Sequence, residues 1–292
     1  MNDVSTGFGP GSLPYRVFTW VKYLTYLALS VNIVLFLQEE LATVAASFRG
    51  EIDLMGLIQR FSATLDTAAW VLLLLLFELE TAVIPDDRLM GPTRWVIHGV
   101  RLLCGAAICA AFVGYWGEWS ALLEVTPLSQ SACALLGQDW SLLVGFDEFT
   151  ALNSDNCAAI GGSVLQLDGL DRVVATPEAL TGARYLALTD VINAGAWILV
   201  VVVLEVEVRL LGSEHALPGR LKPVLNSIKF LLYAVLALAA IYWGIDGNFL
   251  DFWDAALWLF AFVFIEMNVF EWQRELSGSG EAPNADLAGH EA

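Results

Sequence analysis

Six apolar runs, each long enough to cross a hydrocarbon core, restrict this chain more than any other feature. A core of about 30 Å takes about 20 helical residues at 1.5 Å rise per residue, and such runs lie near 17–37, 68–84, 95–116, 194–211, 223–243 and 255–271. The second and sixth are short and lean on neighbours or on local thinning of the bilayer. In lipid a segment must satisfy its own backbone N–H and C=O groups, so runs of this kind fold as helices. Only 16% of the residues are charged and mean hydropathy is +0.64, whereas a soluble domain carries about 25% charged residues. The expected fold class is an all-α integral membrane protein with six transmembrane helices.

One phrase occurs three times within those runs. Trp70 is followed by seven apolar residues, Glu78, Leu79 and Glu80. Trp197 is followed in the same way by Glu205, Val206 and Glu207, and Trp258 by Glu266, Met267 and Asn268. An ionisable group inside a bilayer is costly and so marks a candidate functional position. The intervening spans each carry one base in their cytoplasmic half: Lys22, Arg101 and Lys229. The chain therefore reads as three tandem helical hairpins of like orientation, a pseudo-threefold repeat about an axis along the membrane normal.

At 1.5 Å per residue, Glu80 and Glu207 lie at about the depth of Lys22 and Arg101, and Glu266 at about that of Lys229. Residues two apart on a helix are about 200° apart around it, so Glu78 and Glu80 cannot share a face. Glu80 and Glu207 are expected to be salt-bridged or interfacial. Glu78, Glu205 and Glu266 are expected to face the bundle interior as ion or substrate ligands, with Lys22, Arg101, Lys229, Glu80, Glu207 and Asn268 as charge partners. The plainer reading is that these charges only fix helix docking, as buried pairs can; Arg209, four residues after Glu205, could neutralise it within one helix.

Asp66 and Asp254 stand four residues before Trp70 and Trp258, and Asn193 holds the matching place before Trp197. Helix caps come first among their readings and a cation entrance second. The Trp residues themselves read as an aromatic belt, with Trp70, Trp116, Trp119, Trp197, Trp243, Trp253 and Trp258 at the outer boundary.

The chain divides into an N-terminal arm (1–16), spans one to three (17–117) with an interfacial segment near 51–61, a loop domain (118–192), spans four to six (193–275) and a polar acidic tail (276–292) expected to be disordered. Basic residues gather on the side of both termini, which places the termini in the cytoplasm, and no cleavable signal is expected. A bacterial inner membrane is the expected location. The loop domain is then extracytoplasmic and small, needing a staple, for which Cys133 and Cys157 form the natural disulfide pair. Within it, Gly161 to Leu167 could be a strand, and Thr176-Pro177 should start a short helix towards Leu188. Asp147, Glu148, Asn153, Asp155 and Asn156 match no calcium loop and read as solvated.

Chemical motifs are few. His98, His215 and His290 are scattered, and there is no phosphate loop, paired Cys-x-x-Cys or Gly-x-Ser-x-Gly, so no catalytic residue, metal or cofactor is expected. Cys104 and Cys109 read as packing residues. With a net charge of −18, nucleic acid is disfavoured as a partner. The expected partners are the lipid bilayer and a homo-oligomer or other members of a membrane complex. The leading functional expectation is a transporter or channel for a proton, cation or small cationic solute. The alternative is a non-catalytic structural or assembly subunit of a membrane complex, and a membrane enzyme acting on a lipid or quinone comes third.

Overall fold

The computed structural model describes residues 13–48, 53–80, 91–160, 164–211 and 221–262, and within them the protein is mostly helical. Helix α1 runs Leu13–Ser47. After Pro14 the chain meets no Gly or Pro until Gly50, so nothing breaks the helix where hydropathy falls at Gln38. Its 35 residues reach about 52 Å, well beyond a hydrocarbon core, and carry Glu39, Glu40 and Thr43 out on the far side. Hydropathy alone had marked only 17–37, because it registers the part lipid buries.

The segment expected near 51–61 is a short helix of its own, set at an angle to the second span. Helices α2 (Leu54–Arg60) and α3 (Ser62–Glu78) meet at 76°. Phe61, with φ −125° and ψ 32°, interrupts the helical path. Asp53 caps α2 by accepting from the Gly56 N–H at 2.8 Å. The first N–H groups of α3 are capped from another helix: Glu40 accepts from Ala63 N at 2.8 Å and Thr64 N at 3.2 Å. Helix α4 (Pro92–Ala121) closes on this bend at Gly114, where a β-carbon would stand 2.9 Å from the Ile58 carbonyl oxygen and 3.0 Å from Ser62 Cβ.

Residues 122–176 hold a feature outside an all-α description: a five-stranded sheet, ordered β1-β4-β5-β2-β3. Its strands are β1 Val125–Leu128, β2 Ser141–Gly145, β3 Glu148–Ala151, β4 Val164–Leu167 and β5 Val173–Ala175. Pairing is antiparallel except for β2 with β5. Alternation along each strand sends Leu143, Val173 and Ala175 to one face, where they pack with Leu180, Ala183 and Ala187, and Leu142, Val174 and Val164 to the other. That second face is covered by a 3-10 turn, Ala132–Leu135, and by α5, Ser154–Ala159, which the Cys133–Cys157 disulfide joins. The expected strand is present as β4; residues 161–163 at its start lie outside the described residues.

The short helix expected from Pro177 is the outer part of one helix, α6, Pro177–Leu211. Thr176 caps it through Ala179 N, 3.2 Å, and no Pro follows to separate it from the span. Helix α7 covers Leu221–Asp246, and a final helix, α8, is described over 249–262.

Four helices among the described residues are long and apolar enough to cross a membrane: Tyr15–Ser47, Pro92–Ala121, Pro177–Glu207 and Pro223–Asp246. The bent α2–α3 pair would make a fifth. Trp20, Trp95, Leu102 and Phe230 are each at least two-thirds exposed on these helices, as lipid-facing side chains would be. The bundle core runs through Tyr26, Leu29, Leu74, Val200, Leu236 and Ala261.

Candidate functional site

Two charged layers lie at opposite ends of the bundle. At the end away from the sheet, Lys22 of α1 meets Glu78 of α3, Nζ to Oε1 2.6 Å. Both are buried, and the Tyr23 and Tyr26 hydroxyls add hydrogen bonds to the same carboxylate at 3.2 and 3.5 Å. Arg101 pairs with Glu80, and Lys229 with Glu207 at 2.7 Å. Glu78 is thus interior, but it faces a resident lysine rather than open space. Glu205 corrects the expectation of an interior ligand: it lies on the exposed side of α6, because Glu207, two residues on, is the one turned to Lys229. Glu266 and Asn268 lie outside the described residues.

At the sheet end the structure encloses a chamber of about 130 Å³, room for several waters or a small solute. The overlong part of α1 contributes Glu39, Glu40 and Thr43, and the start of α3 contributes Ser62 and Asp66. Tyr115 and Glu118 come from the end of α4, Asp190 and Asn193 from α6, Asp251 and Asp254 from α8, and the sheet adds Asp147. Eight carboxylates line this space, with Arg60 the one basic side chain among its described walls.

Asp147 occupies the tight turn between β2 and β3, where Gly145 pairs with Glu148. Its φ of 59° lies in the left-handed region that Asp tolerates better than most residues. Thr43 of α1 ties the turn down by donating to the Asp147 carbonyl at 3.0 Å. Burial, and then the nearby charges of Glu39 and Glu40, push the Asp147 carboxyl up to about 7. Asp147 departs from the expectation of a solvated loop residue, being half-buried where the sheet lowers this turn onto the end of the bundle.

Three chamber carboxylates are already engaged. Glu40 caps α3, Glu118 accepts from Ser62 Oγ at 2.9 Å, and Asp254 accepts from Asn32 Nδ2 at 2.7 Å. Asp66, Asp190 and Asp251 form no salt bridge among the described residues. Arg60 lies with its guanidinium carbon 4.0 Å from the centre of the Phe48 ring.

The floor is aromatic. Trp70 meets Trp197 and Trp258 with ring centroids 6.4 and 6.3 Å apart, and Trp197 stacks obliquely on Phe262 at 4.6 Å. Trp197, Trp243 and Trp258 are buried, which corrects the belt reading for these three; Trp116 and Trp253 remain exposed. Asp66 and Asp254 turn towards the indole N–H of the Trp one helical turn on. The three positions four residues before a repeat Trp, Asp66, Asn193 and Asp254, all line the one chamber.

Two buried polar atoms on its walls, Asn193 Oδ1 and Trp243 Nε1, have no hydrogen-bond partner among the described residues. The Trp243 indole faces Asp190 without completing the bond. No three His, Cys, Asp or Glu side chains among the described residues converge closely enough to hold a bare metal ion.

Comparison of the chain with protein-family models, curated proteins and solved structures finds no match. The functional reading therefore rests on the geometry and chemistry of the chamber.

Proposed function

We propose that the protein is an integral membrane transporter or channel for a cation or small cationic solute, with the acidic chamber as its outer binding site. In this reading six spans form three hairpins in a bacterial inner membrane, both termini are cytoplasmic, and the disulfide-stapled sheet lies outside. The observation that carries it is the charge balance of the chamber: eight carboxylates against Arg60, in a cleft whose low-dielectric walls concentrate the field on an entering cation. Asp66, Asn193 and Asp254, in matching places before Trp70, Trp197 and Trp258, support the three-hairpin arrangement. The opposite layer, with Lys22, Arg101 and Lys229 opposite carboxylates, serves helix docking.

Flux into proteoliposomes tests this reading, with wild type set beside Asp66→Asn, Asp190→Asn and Asp254→Asn. Each substitution keeps shape and removes charge, and at least two of the three are expected to cut cation flux about tenfold or more, since a lost hydrogen bond to a charged group costs about 1.5–3 kcal/mol. Unchanged flux in all three would sink the chamber as the pathway. No flux in wild type, with a stoichiometric partner retained on gentle purification, would favour the membrane-complex subunit instead.

A further inference from the structure

We infer that the chamber binds a small organic ammonium ion bearing N–H donors, in preference to a metal cation or a quaternary amine. The inference deepens the proposed function by naming a substrate class, and it rests on the chamber being the cation site.

Three observations point the same way. First, the carboxylates are arranged around a space rather than around a point. No three of the described acids can hold a bare metal ion, and a dehydrated metal ion would need several oxygens at about 2–2.6 Å. An ammonium ion needs fewer and longer contacts, which the walls supply from different helices: Asp66, Asp190 and Asp254.

Second, the floor is made of Trp197 and Trp258, with Trp70 behind them. Indole rings along a wall attract an organic cation and shelter its apolar body, and the attraction strengthens when water is excluded. Carboxylates above an indole floor suit an ion with a charged head and an apolar body.

Third, the walls hold polar atoms that a ligand would complete. Trp243 is 97% buried and its Nε1 is turned to Asp190 without a completed bond, and the buried Asn193 Oδ1 has no partner among the described residues. An orphaned buried polar group costs about 1–3 kcal/mol. Asn193 Oδ1 can accept an ammonium N–H, which a quaternary amine lacks, and the Trp243 N–H can donate to an oxygen of the ligand or of a water held with it.

Arg60 completes the picture. Its guanidinium is placed over the Phe48 ring, on the chamber wall and within electrostatic reach of Glu118. It is a tethered cation on an aromatic face beside a carboxylate, the arrangement assigned to the ligand, and it competes with that ligand for the same negative field.

The test uses the full chain purified in detergent, with ethylammonium as the probe and tetramethylammonium, sodium and calcium chlorides at matched ionic strength as comparators. Tryptophan fluorescence and thermal unfolding are both read. Saturable ethylammonium binding is expected, at least about tenfold tighter than tetramethylammonium binding, with no saturable response to sodium. Asp190→Asn and Asp254→Asn should each weaken it about tenfold, and Arg60→Gln should tighten it about threefold or more. Equal responses to all cations, no saturable response from folded wild type, or affinity unmoved in Arg60→Gln and both Asp variants would overturn the inference. Should an Asp variant fail to fold, Arg60→Gln and the comparators still decide. Ethylammonium binding without flux would refute transport and leave this inference standing. Cation flux lost in the carboxylate variants, without ethylammonium binding, would do the reverse.

Discussion

The residue that most rewards attention singly is Lys22. Its ammonium and the Glu78 carboxylate are both buried, and removing one partner of such a pair leaves a charge with neither water nor counter-ion, at a cost of about 3–5 kcal/mol. Lys22→Met is therefore expected to lower the unfolding temperature of the purified protein sharply, and Lys22→Met with Glu78→Met to restore most of the loss. Equal destabilisation by the single and double variants would show that the pair does not act as one unit. Asp147 behaves in the opposite sense. Its carboxyl is raised from 3.8 to about 7 in the folded protein, so below about pH 4 it is neutral in both states and neutral folding is favoured. From there to about pH 7 the unfolded chain ionises while the folded one resists, and stability falls. Asp147→Asn removes that dependence: its stability relative to wild type should rise between pH 4 and 7, by about 1–3 kcal/mol, and then level off. Denaturant midpoints across that range check this, and a flat difference would contradict the enclosure of the Asp147 carboxyl beside Glu39 and Glu40.

Among elements, the α2–α3 bend does most to shape the chamber, since it turns Ser62 and Asp66 inward, and Gly114 permits it. A side chain there would collide with backbone at Ile58, so Gly114→Val is expected to cost about 1–3 kcal/mol, the range for overpacking, and to lower cation binding with it. Leaving both unchanged would mean α4 can move away from the bend. The elements were legible in unequal measure. Apolar runs located the helices, because burial in lipid demands them. They set the segment near 51–61 apart from the second span but gave neither its 76° bend nor the outer lengths of α1 and α6, along which no Pro intervenes after the first turn. Asp66, Asn193 and Asp254 stood in register before their Trp, and that register was readable. What could not be read was convergence. Glu39, Glu40, Glu118 and Asp147 belong to no pattern and meet only because the ends of α1 and α4 come together and a hairpin turn comes down between them. Glu78 and Glu205 show the converse: matching places in one phrase, yet one is buried and the other lies on an exposed face.

For the whole molecule, position along the membrane normal separates tasks that look alike in sequence. Lys22 and Glu40 stand on the same helix about 27 Å apart, so the ion-paired layer and the open acidic chamber cannot exchange roles. The sheet, held by the Cys133–Cys157 disulfide and anchored by Ser141 Oγ donating to the Ala46 carbonyl at 2.7 Å, roofs one and never approaches the other. Between them lie the tryptophan floor and the apolar core under it, and this has an electrical consequence. A transmembrane voltage falls mainly across the stretch that excludes water, which here begins below Trp197 and Trp258. A cation resting in the chamber would sit on the near plate of that capacitor and bind with little dependence on voltage. Passage beyond the indoles would carry its charge through nearly the whole field, about 2.3 kcal/mol per 100 mV, so occupancy and permeation should respond to membrane potential quite differently.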